Sequence, residues 1–422
     1  MDFFEFLGKA YTPYHTTALL KEYLASRGFE ECKETEPYSL SLGGKYFVVR
    51  ADASLIAFCV PDVLPVGFQI AAAHNDSPAL FVTGEKRDQG YVRLTVEKYG
   101  GPHTATWLDR PLKLAGRVFL NDCDKVSSHL FAYESPLYIP TVAPHLHKEA
   151  ETRVLNNPAA DLLPIFSKDD GSPDALKRKI ASHFSVSTTD IAAYDLYLTS
   201  AETPTLWGDG FVSSPRLDDL ACVYGLLSGF VQAKPTSAVS VLAIFNGEEV
   251  GSLMPEAADA SFLSDTLARV SQALSRQKEC LLARSFMISA DNAHAVHPAH
   301  PELLHPTQTA SLGEGIVIKY AASRRYTTDA FSASMTKLLC QMANVPVQEF
   351  RNRADLPGGG TLGALSGRHV SIPSVDIGLA QLSMHSACET GALSDVKALE
   401  DMAKCYYSCV LTYTENGAFW HK

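Results

Sequence analysis

The feature that most constrains the fold of this 422-residue chain is a series of short apolar runs, most of which are soon followed by ionisable side chains. The runs cover residues 68–73, 239–245, 285–290 and 316–320. Apolar runs of this length, bounded by polar residues, are typical of buried strands. Helical patterns accompany them at residues 14–28, 217–231, 329–342 and 396–411. This alternation predicts an α/β fold with a doubly wound, mostly parallel sheet covered by helices.

Residues 86–212 have a different pattern, which predicts a separate unit. Residues 91–97 alternate apolar and polar side chains at period two, and residues 195–199 do so more loosely. Such alternation is typical of antiparallel strands with one buried face. We therefore expect a β-rich domain at 86–212, inserted into a discontinuous α/β domain made of residues 1–85 and 213–422.

The charge balance restricts the expected partners and location. The sequence has 36 Lys and Arg against 47 Asp and Glu, which gives a formal net charge of −11. Nucleic acids and anionic membranes bind surfaces rich in Lys and Arg, so neither is expected as a partner. The first residues carry acids where a signal peptide carries basic residues, which favours a cytoplasmic location. The nine cysteines include no CxxC pair and indicate reduced thiols rather than disulfides.

Ionisable residues are concentrated just after the predicted strands. They are His74, Asp76, Glu248, Glu249 and Asp291 after three of the runs, His385 after a further apolar stretch at 375–382, and the pair Asp218 and Asp219 at the start of a helix. In open α/β sheets, ligands bind beyond the carboxyl ends of the strands. If these segments belong to one sheet, their polar groups converge in one cleft.

Two histidines with several carboxylates, and no cysteine, form a donor set suited to zinc, or to cobalt or manganese in the same geometry. Two histidines alone make a poor site for a single ion. A bridging carboxylate would let two ions share ligands and activate a water for hydrolysis. An adjacent glutamate pair provides one metal ligand and one general base. Each residue alone has an ordinary structural explanation, such as a polar loop or a helix N-terminus. Together they predict a metallohydrolase.

Other catalytic motifs do not explain the sequence. It contains no H-E-x-x-H, G-x-S-x-G or G-x-x-x-x-G-K-[ST] motif. Residues 358–363 match G-x-G-x-x-G formally, but Asp355, Leu356 and Pro357 precede them instead of an uninterrupted strand. Because glycine lets a ligand approach the backbone closely, we interpret Gly359 and its neighbours as a wall of a substrate site rather than a dinucleotide site.

At several separate blocks the sequence resembles the M18 aminopeptidases, also called aspartyl aminopeptidases, of the dizinc exopeptidase clan. The matching blocks are residues 3–7, 13–15, 72–78, 215–220, 245–252, 289–298, 324–326 and 384–386. They occur in the family order and extend over nearly the whole chain. The resemblance implies a zinc-exopeptidase-like fold whose inserted β-rich domain mediates dimerisation. It also implies a homo-oligomer, in which dimers assemble into a dodecamer with enclosed active sites.

The resemblance also implies metal ligands and a catalytic base. The implied ligands are His74 and Asp291 for one ion, Glu249 and His385 for the other, and Asp218 as the bridge between them. Asp76 then supports His74, and Glu248 is the general base. The implied reaction is the attack of a hydroxide, bridging two divalent ions, on the first carbonyl of a peptide.

Further family features bear on the substrate. Lys319 matches a lysine that meets an acidic substrate side chain, and His145 matches a histidine that completes the neighbouring subunit's site in trans. His294 and His297 are interpreted as supporting or structural residues rather than extra ligands. The departures from the family pattern are Asn75, Asp219, residues 246–247 and Gly360, none of which removes an implied ligand or the base. Asp219 adds a negative charge beside the bridging residue.

These observations predict a metal-dependent aminopeptidase that releases the N-terminal residue of peptides, with a preference for Asp or Glu. Two other hypotheses stay open from the sequence. One is a dizinc carboxypeptidase or deacylase on the same scaffold, which would not need the free amine of its substrate. The other is an assembly protein that kept the fold and lost turnover.

Overall fold

A ten-stranded sheet forms the centre of the computed structural model, which describes residues 1–146, 157–234, 236–356 and 358–421. The strands described are β1 (Glu30–Glu31), β2 (Lys45–Arg50), β3 (Ser54–Cys59), β4 (Phe68–His74), β5 (Ala79–Asp88), β6 (Tyr91–Tyr99), β7 (Leu112–Asp122), β8 (Lys125–Ala132), β9 (Ile165–Lys168), β10 (Ile191–Ser200), β11 (Thr205–Trp207), β12 (Phe211–Ser214), β13 (Val239–Phe245), β14 (Phe286–Ala290), β15 (Ala293–His294), β16 (Ile316–Tyr320), β17 (Val347–Arg351), β18 (Ser374–Gln381), β19 (Glu389–Ala392), β20 (Val410–Thr414) and β21 (Gly417–His421).

The α-helices described are α1 (Phe3–Lys9), α2 (Pro13–Ser26), α3 (Pro158–Asp161), α4 (Ala175–Phe184), α5 (Leu217–Gln232), α6 (Phe262–Ala273), α7 (Lys278–Leu282), α8 (Ala330–Ala343), α9 (Leu362–Ser366) and α10 (Leu393–Tyr407). Short 3₁₀ helices also occur, among them Pro144–Leu146 and Glu248–Val250. No helix in the described ranges combines the length and the apolar character that a membrane crossing requires.

The central sheet is mostly parallel. Its strands lie in the order β1-β2-β3-β13-β4-β14-β18-β16-β17, with β15 paired to β18. The four middle strands β13, β4, β14 and β18 run parallel to one another. Antiparallel pairs join β2 to β3, β3 to β13 and β16 to β18. The predicted α/β fold is confirmed.

Helices cover both faces of this sheet because its middle strands are apolar on both sides. In β4, Ala71 and Ala73 belong to the core cluster that contains α5 and α10. Phe68, Ile70 and Ala72 of the same strand belong to the cluster on the other face, which contains α6. This two-sided burial explains why the apolar runs are continuous instead of alternating.

A second, antiparallel sheet has the strand order β8-β7-β10-β5-β6-β9. Val92, Leu94 and Val96 of β6 are buried in its core, which accounts for the period-two pattern of this segment. The β-rich insertion is therefore confirmed as a feature of the fold. Its strands run from Ala79 to Ser200, and the division of the chain at residues 86 and 212 stays a prediction.

The predicted helix at 396–411 is wrong at its C-terminal end. The helix ends at Tyr407, and residues 410–414 form a strand that pairs with residues 417–421 in a hairpin. The segment V-L-T-Y-T is rich in β-branched and aromatic residues, and E-N-G follows it, which favours a strand and a turn. Apolar residues continue through both elements, so that periodicity alone did not mark the boundary.

Helix α5, which contains Asp218 and Asp219 in its first turn, packs closely on α10 at a glycine. A Cβ atom added to Gly229 of α5 would lie 2.6 Å from the Cβ of Ala403 and 2.6 Å from the carbonyl oxygen of Glu400. Backbone atoms of α10 therefore occupy the place of a side chain at this position. The contact fixes the distance between the two helices.

We predict that Gly229→Ala destabilises the protein because the two helices must separate. The expected loss is about 1–3 kcal/mol in the free energy of unfolding, the usual cost of overpacking, and urea unfolding followed by circular dichroism measures it. Gly8→Ala in α1 is the matched control, since no atom lies within 4 Å of an added Cβ there. The control should be neutral or stabilised by up to about 1 kcal/mol through helix propensity. Equal midpoints for the two variants would contradict the prediction.

Candidate metal centre

The candidate ligands lie at one edge of the central sheet, beyond the carboxyl ends of its middle strands. His74 is the last residue of β4, Asp291 follows β14, and His385 follows β18. Glu249 lies on the 3₁₀ helix after β13, and Asp218 is the second residue of α5. Because these four strands are parallel neighbours, their carboxyl ends share one edge. The structure thus brings the five residues together.

Asp218 lies between the two histidines. Its Oδ1 is 3.5 Å from Nε2 of His74, and its Oδ2 is 3.5 Å from Nε2 of His385. Nε2 of His74 also faces Oδ1 of Asp291 at 3.9 Å, and Nε2 of His385 faces Oε1 of Glu249 at 3.5 Å. The site therefore contains two groups of ligand atoms that share one carboxylate.

These separations suit coordination of metal ions better than direct hydrogen bonds. Hydrogen bonds between nitrogen and oxygen are about 2.7–3.2 Å long. Two atoms that each bind one zinc ion at about 2.0–2.1 Å, in tetrahedral geometry, lie about 3.3–3.4 Å apart. Oδ1 of Asp218 is buried and lacks a hydrogen-bond partner among the described residues. The donor set therefore fits two divalent ions with Asp218 between them.

Both histidines are held with Nε2 toward the site. Nδ1 of His74 contacts the carbonyl oxygen of Asp76 at 3.1 Å, and Nδ1 of His385 contacts the carbonyl oxygen of Gly101 at 3.2 Å. A carbonyl oxygen only accepts, so Nδ1 is the donor in each ring and Nε2 keeps its lone pair. This is the tautomer that a metal ligand requires.

The electrostatics of the site favour bound positive charge. Burial lowers the pKa of His74, but Asp218 and Asp291 outweigh burial and raise that pKa well above its usual value. Burial also lowers the pKa of His385, whereas Asp218 and Glu249 raise it to about 10. The carboxylates therefore favour positive charge at both imidazoles, and divalent cations would supply that charge.

The two glutamates after β13 have different positions relative to the ligand atoms. Glu249 belongs to the group formed with Asp218 and His385, whereas Glu248 lines the adjacent cavity outside both groups. Burial raises the pKa of Glu248 to about 7. Burial and the charge of Asp218 raise the pKa of Glu249 well above its usual value. A carboxylate that titrates near neutrality beside the ligands suits a general base.

Asp76 connects the first histidine to the glutamate pair. Its carboxylate accepts hydrogen bonds from the backbone N–H of Glu248 at 3.2 Å and of Glu249 at 3.1 Å. The hydroxyl of Tyr99 donates to the same carboxylate at 2.9 Å, and Nδ1 of His74 lies 3.4 Å from it. Tyr99 is the last residue of β6, so the second sheet supports the site directly. The sequence analysis identified Asp76 but not Tyr99.

Glu389 is a site residue that the sequence analysis missed. Its buried carboxylate accepts the backbone N–H of Asp218 at 3.0 Å and that of His385 at 2.7 Å. Burial and the nearby charge of Asp218 raise the pKa of Glu389 to about 8. The one available signal was an acidic residue four positions after a candidate ligand, which is too common to identify a function.

Asp219, noted from the sequence as an additional charge, also lies at the site. Its Oδ2 accepts the backbone N–H of His74 at 3.3 Å, and its Oδ1 is buried without a hydrogen-bond partner in the described chain. A carboxylate oxygen of Asp219 belongs to the ligand group formed by His74, Asp218 and Asp291. Burial raises the pKa of Asp219 well above its usual value. The residue therefore offers a further carboxylate oxygen to a cation at this position.

A cavity of about 680 Å³ adjoins the ligands. Lys319, Gly359 and His294 line it, together with arginines at its outer part. Lys319 is buried, and its Nζ donates to the carbonyl oxygens of Asp291 at 2.6 Å and Asn292 at 3.2 Å. The same Nζ is 3.3 Å from Oδ2 of Asp291. Lys319 thus holds a candidate ligand in place and brings a positive charge to the cavity wall.

Two other histidines of the sequence analysis lie away from the ligands. His145 is exposed on the 3₁₀ helix Pro144–Leu146 and is not a lining residue of the cavity in its own chain. His297 is also exposed and does not line the cavity.

Comparison with known proteins identifies a family model, similar sequences and similar folds. The family model described as Aminopeptidase I zinc metalloprotease (M18) matches residues 6–407. The chain is 38% identical over 414 residues to "Probable M18 family aminopeptidase 2" of Clostridium novyi (strain NT), covering 93% of this chain and 95% of that protein. The fold is similar to that in the cryo-EM structure of the Ape4 and Nbr1 complex, with a TM-score of 0.92 and 31% identity. This match covers 96% of this chain and 85% of that chain.

The fold is also similar to that of the S. cerevisiae mApe1 dodecamer, with a TM-score of 0.82 and 24% identity, and this match covers 96% of this chain and 95% of that chain.

We predict that Glu389→Gln weakens metal binding, because the amide can accept only one of the two backbone N–H groups and presents its own N–H to the other. Changes of this kind around metal ligands typically lower affinity by about 10–100-fold. Zinc affinity measured by competition with a chromogenic chelator tests this. Glu31→Gln is the control, since Glu31 is an exposed residue paired with Lys21 far from the ligands. Unchanged zinc affinity in Glu389→Gln would show that the residue does not position the site.

Proposed function

The chain belongs to the M18 family of zinc metalloprotease aminopeptidases, and from this membership and the site geometry we propose that it removes the N-terminal residue of peptides. The observation that carries the proposal is the placement of Asp218, with one carboxylate oxygen toward each histidine. This arrangement is suited to a pair of divalent ions, for which zinc is the first candidate and cobalt or manganese are alternatives. Hydrolysis of an amide is the chemistry that such a pair supports best.

In this proposal the five residues divide between two ions. His74 and Asp291 would hold one ion, Glu249 and His385 would hold the other, and Asp218 would be a ligand of both. Such ions would supply polarisation of the peptide carbonyl and a lowered pKa for an attacking water. Asp76 keeps the imidazole of the first histidine in the required orientation through its contacts at Nδ1.

Glu248 is the general base of the proposed reaction. Its side chain is beside the ligands, and its pKa near 7 allows it both to accept and to release a proton at neutral pH. It takes a proton from the attacking water and delivers it to the amine that leaves when the peptide bond breaks. The backbone N–H of Glu248 is fixed by Asp76, which keeps the base at the same edge of the site.

We further propose a preference for Asp or Glu as the residue released. The support is the buried cation of Lys319 in the cavity wall. Its three donors already have partners at Asp291 and Asn292, so it would attract an acidic side chain through charge rather than through a dedicated hydrogen bond. Gly359, which also lines the cavity and has no atom within 4 Å of an added Cβ, provides an open backbone surface there.

We also propose that the chain acts as a homo-oligomer, with dimers that assemble into a dodecamer. The edge strand β8 supports this, because Val126 is 59% exposed and Leu130 is 42% exposed on it. His145 lies outside its own cavity and is exposed, as a residue that completes a partner's site would be. The similarity in fold to the S. cerevisiae mApe1 dodecamer is compatible with such an assembly.

We predict that Glu248→Gln strongly lowers turnover and keeps the metal, because it removes the base but no ligand. The expected decrease in kcat is about 10²–10⁴-fold, the usual contribution of general base catalysis. Glu249→Gln is the matched comparison and should lose metal at the adjacent position. Hydrolysis of a Leu- or Asp-capped chromogenic amide, together with elemental analysis of both variants, tests the pair. Full activity in Glu248→Gln would refute the assigned role.

The two alternative functions predict other outcomes in the same assay. A carboxypeptidase or deacylase would cleave N-acetylated peptides at least as fast as free ones, whereas the proposed aminopeptidase requires the free amine. An assembly protein without turnover would cleave neither and would bind no metal. The complete set of ligands and the base Glu248 favours the aminopeptidase over this last alternative.

We predict that Lys319→Met lowers the preference for acidic N-terminal residues. The expected change is about a 10-fold decrease in the ratio of kcat/KM for Asp over Leu substrates, as expected for loss of one nearby charge in a partly screened site. Zinc affinity must be measured in parallel, since Lys319 also contacts Asp291. An equal loss for Asp and Leu substrates, with weakened zinc binding, would mean that Lys319 only positions the ligand.

A further inference from the structure

A second cavity, of about 490 Å³, adjoins the cavity over the candidate metal ligands. The two share Ser323, Arg325 and Gly359 as lining residues. The second cavity extends from this boundary along residues 351–354, away from the ligands. We call this second cavity the arginine groove, because Arg325, Arg351 and Arg353 line it.

Most of the positive charge along this path is not neutralised by the chain. Arg325 donates to the carbonyl oxygen of Gly358, and the guanidinium of Arg351 lies 4.7 Å from the ring centre of Tyr320. Neither has an ion-pair partner in the described part of the chain. By contrast, Arg353 is held by both carboxylate oxygens of Asp355, each at 2.6 Å.

Arg324, at the outer part of the first cavity, extends this unpaired charge. It donates to the carbonyl oxygens of Thr327 at 3.4 Å and Thr328 at 3.3 Å, and no carboxylate within the described ranges pairs with it. No acidic residue lines the arginine groove in the part of the chain that the structure describes. In a chain of net charge −11, this local excess of guanidinium groups is suited to an anionic ligand.

We propose that the arginine groove binds the part of a peptide that follows the cleaved bond, and that it selects acidic side chains there. This inference rests on the proposed aminopeptidase function. With the first peptide bond at the ligands, the remaining residues must leave the first cavity, and the groove is continuous with it. Guanidinium groups bind carboxylates with paired hydrogen bonds, so Arg325 and Arg351 provide the recognition.

The groove and Lys319 affect different substrate positions. Lys319 is buried beside Asp291 and belongs only to the first cavity. Arg351 lines only the groove. Acidic residues at the first position and at later positions are therefore recognised by separate cations and can be varied independently.

The experiment compares two amidated tetrapeptides that differ only after the cleaved bond, Leu-Ala-Glu-Glu and Leu-Ala-Gln-Gln. We expect the intact enzyme to have a KM about 10-fold lower for the acidic peptide, with a similar kcat. The double variant Arg325→Gln/Arg351→Gln should lose this difference, and each single variant should lose part of it. Raising the ionic strength from about 0.05 to 0.5 M should also reduce it, because exposed charges are screened. Arg178→Gln is the control, since Arg178 pairs with Asp170 away from both cavities.

Each other outcome has a distinct meaning. Hydrolysis of neither peptide, nor of the same two peptides with Asp in place of the first Leu, by the intact enzyme contradicts the proposed function itself. Hydrolysis of both with equal KM contradicts the arginine groove and leaves the aminopeptidase function in place. If the double variant changes the sedimentation coefficient and keeps the KM difference, the groove is a contact between subunits and the inference is wrong. Because the comparison of peptides uses the unmodified enzyme first, a folding defect in the double variant does not prevent the test.

Discussion

The site depends on one buried carboxylate that two histidines share. Asp218 faces Nε2 of His74 with one oxygen and Nε2 of His385 with the other, each at 3.5 Å. Because both oxygens belong to one carboxylate, the position of Asp218 relative to one histidine also sets its distance to the other. The two histidines come from β4 and from the loop after β18, which are separated in the sheet by β14. The order of the parallel strands therefore determines the spacing of the ligand groups, and α5 places the shared carboxylate between them.

The carboxylates around the candidate ligands accept hydrogen bonds from backbone N–H groups of the site. Asp76 accepts the N–H groups of both glutamates, and Glu389 accepts those of Asp218 and His385. Asp76 thus positions two neighbouring residues of one 3₁₀ helix, whereas Glu389 positions site residues of two different segments. A buried carboxylate is costly unless it is well hydrogen-bonded, so these contacts also explain how so many acids coexist in a small volume. The geometry of the site therefore depends on several segments along this edge of the sheet.

The sequence identified the candidate ligands, which the structure brings together, better than the groups that hold them. His74 and Asp291 could be found because apolar strands end next to them, and the chemistry of imidazole and carboxylate is specific. Glu389 could not be found, since it acts on backbone N–H groups of residues far away along the chain. Tyr99 was missed for a similar reason, because its role depends on how the second sheet lies against the first. The end of the helix at Tyr407 was missed because apolar periodicity does not distinguish its last turn from the hairpin that follows.

The charges at the two ends of the path are balanced in different ways, and this has a consequence for the substrate. The carboxylates at the inner end face two histidines, Lys319 and, in the proposed function, two divalent cations, so their charge is balanced within the site. Arg324, Arg325 and Arg351 line the outer path without an ion-pair partner among the described residues. A peptide with acidic residues after its first bond has the complementary charge there. Because low-dielectric walls strengthen fields inside a cleft, the outer path would attract those acidic residues and keep them beyond the cleaved bond.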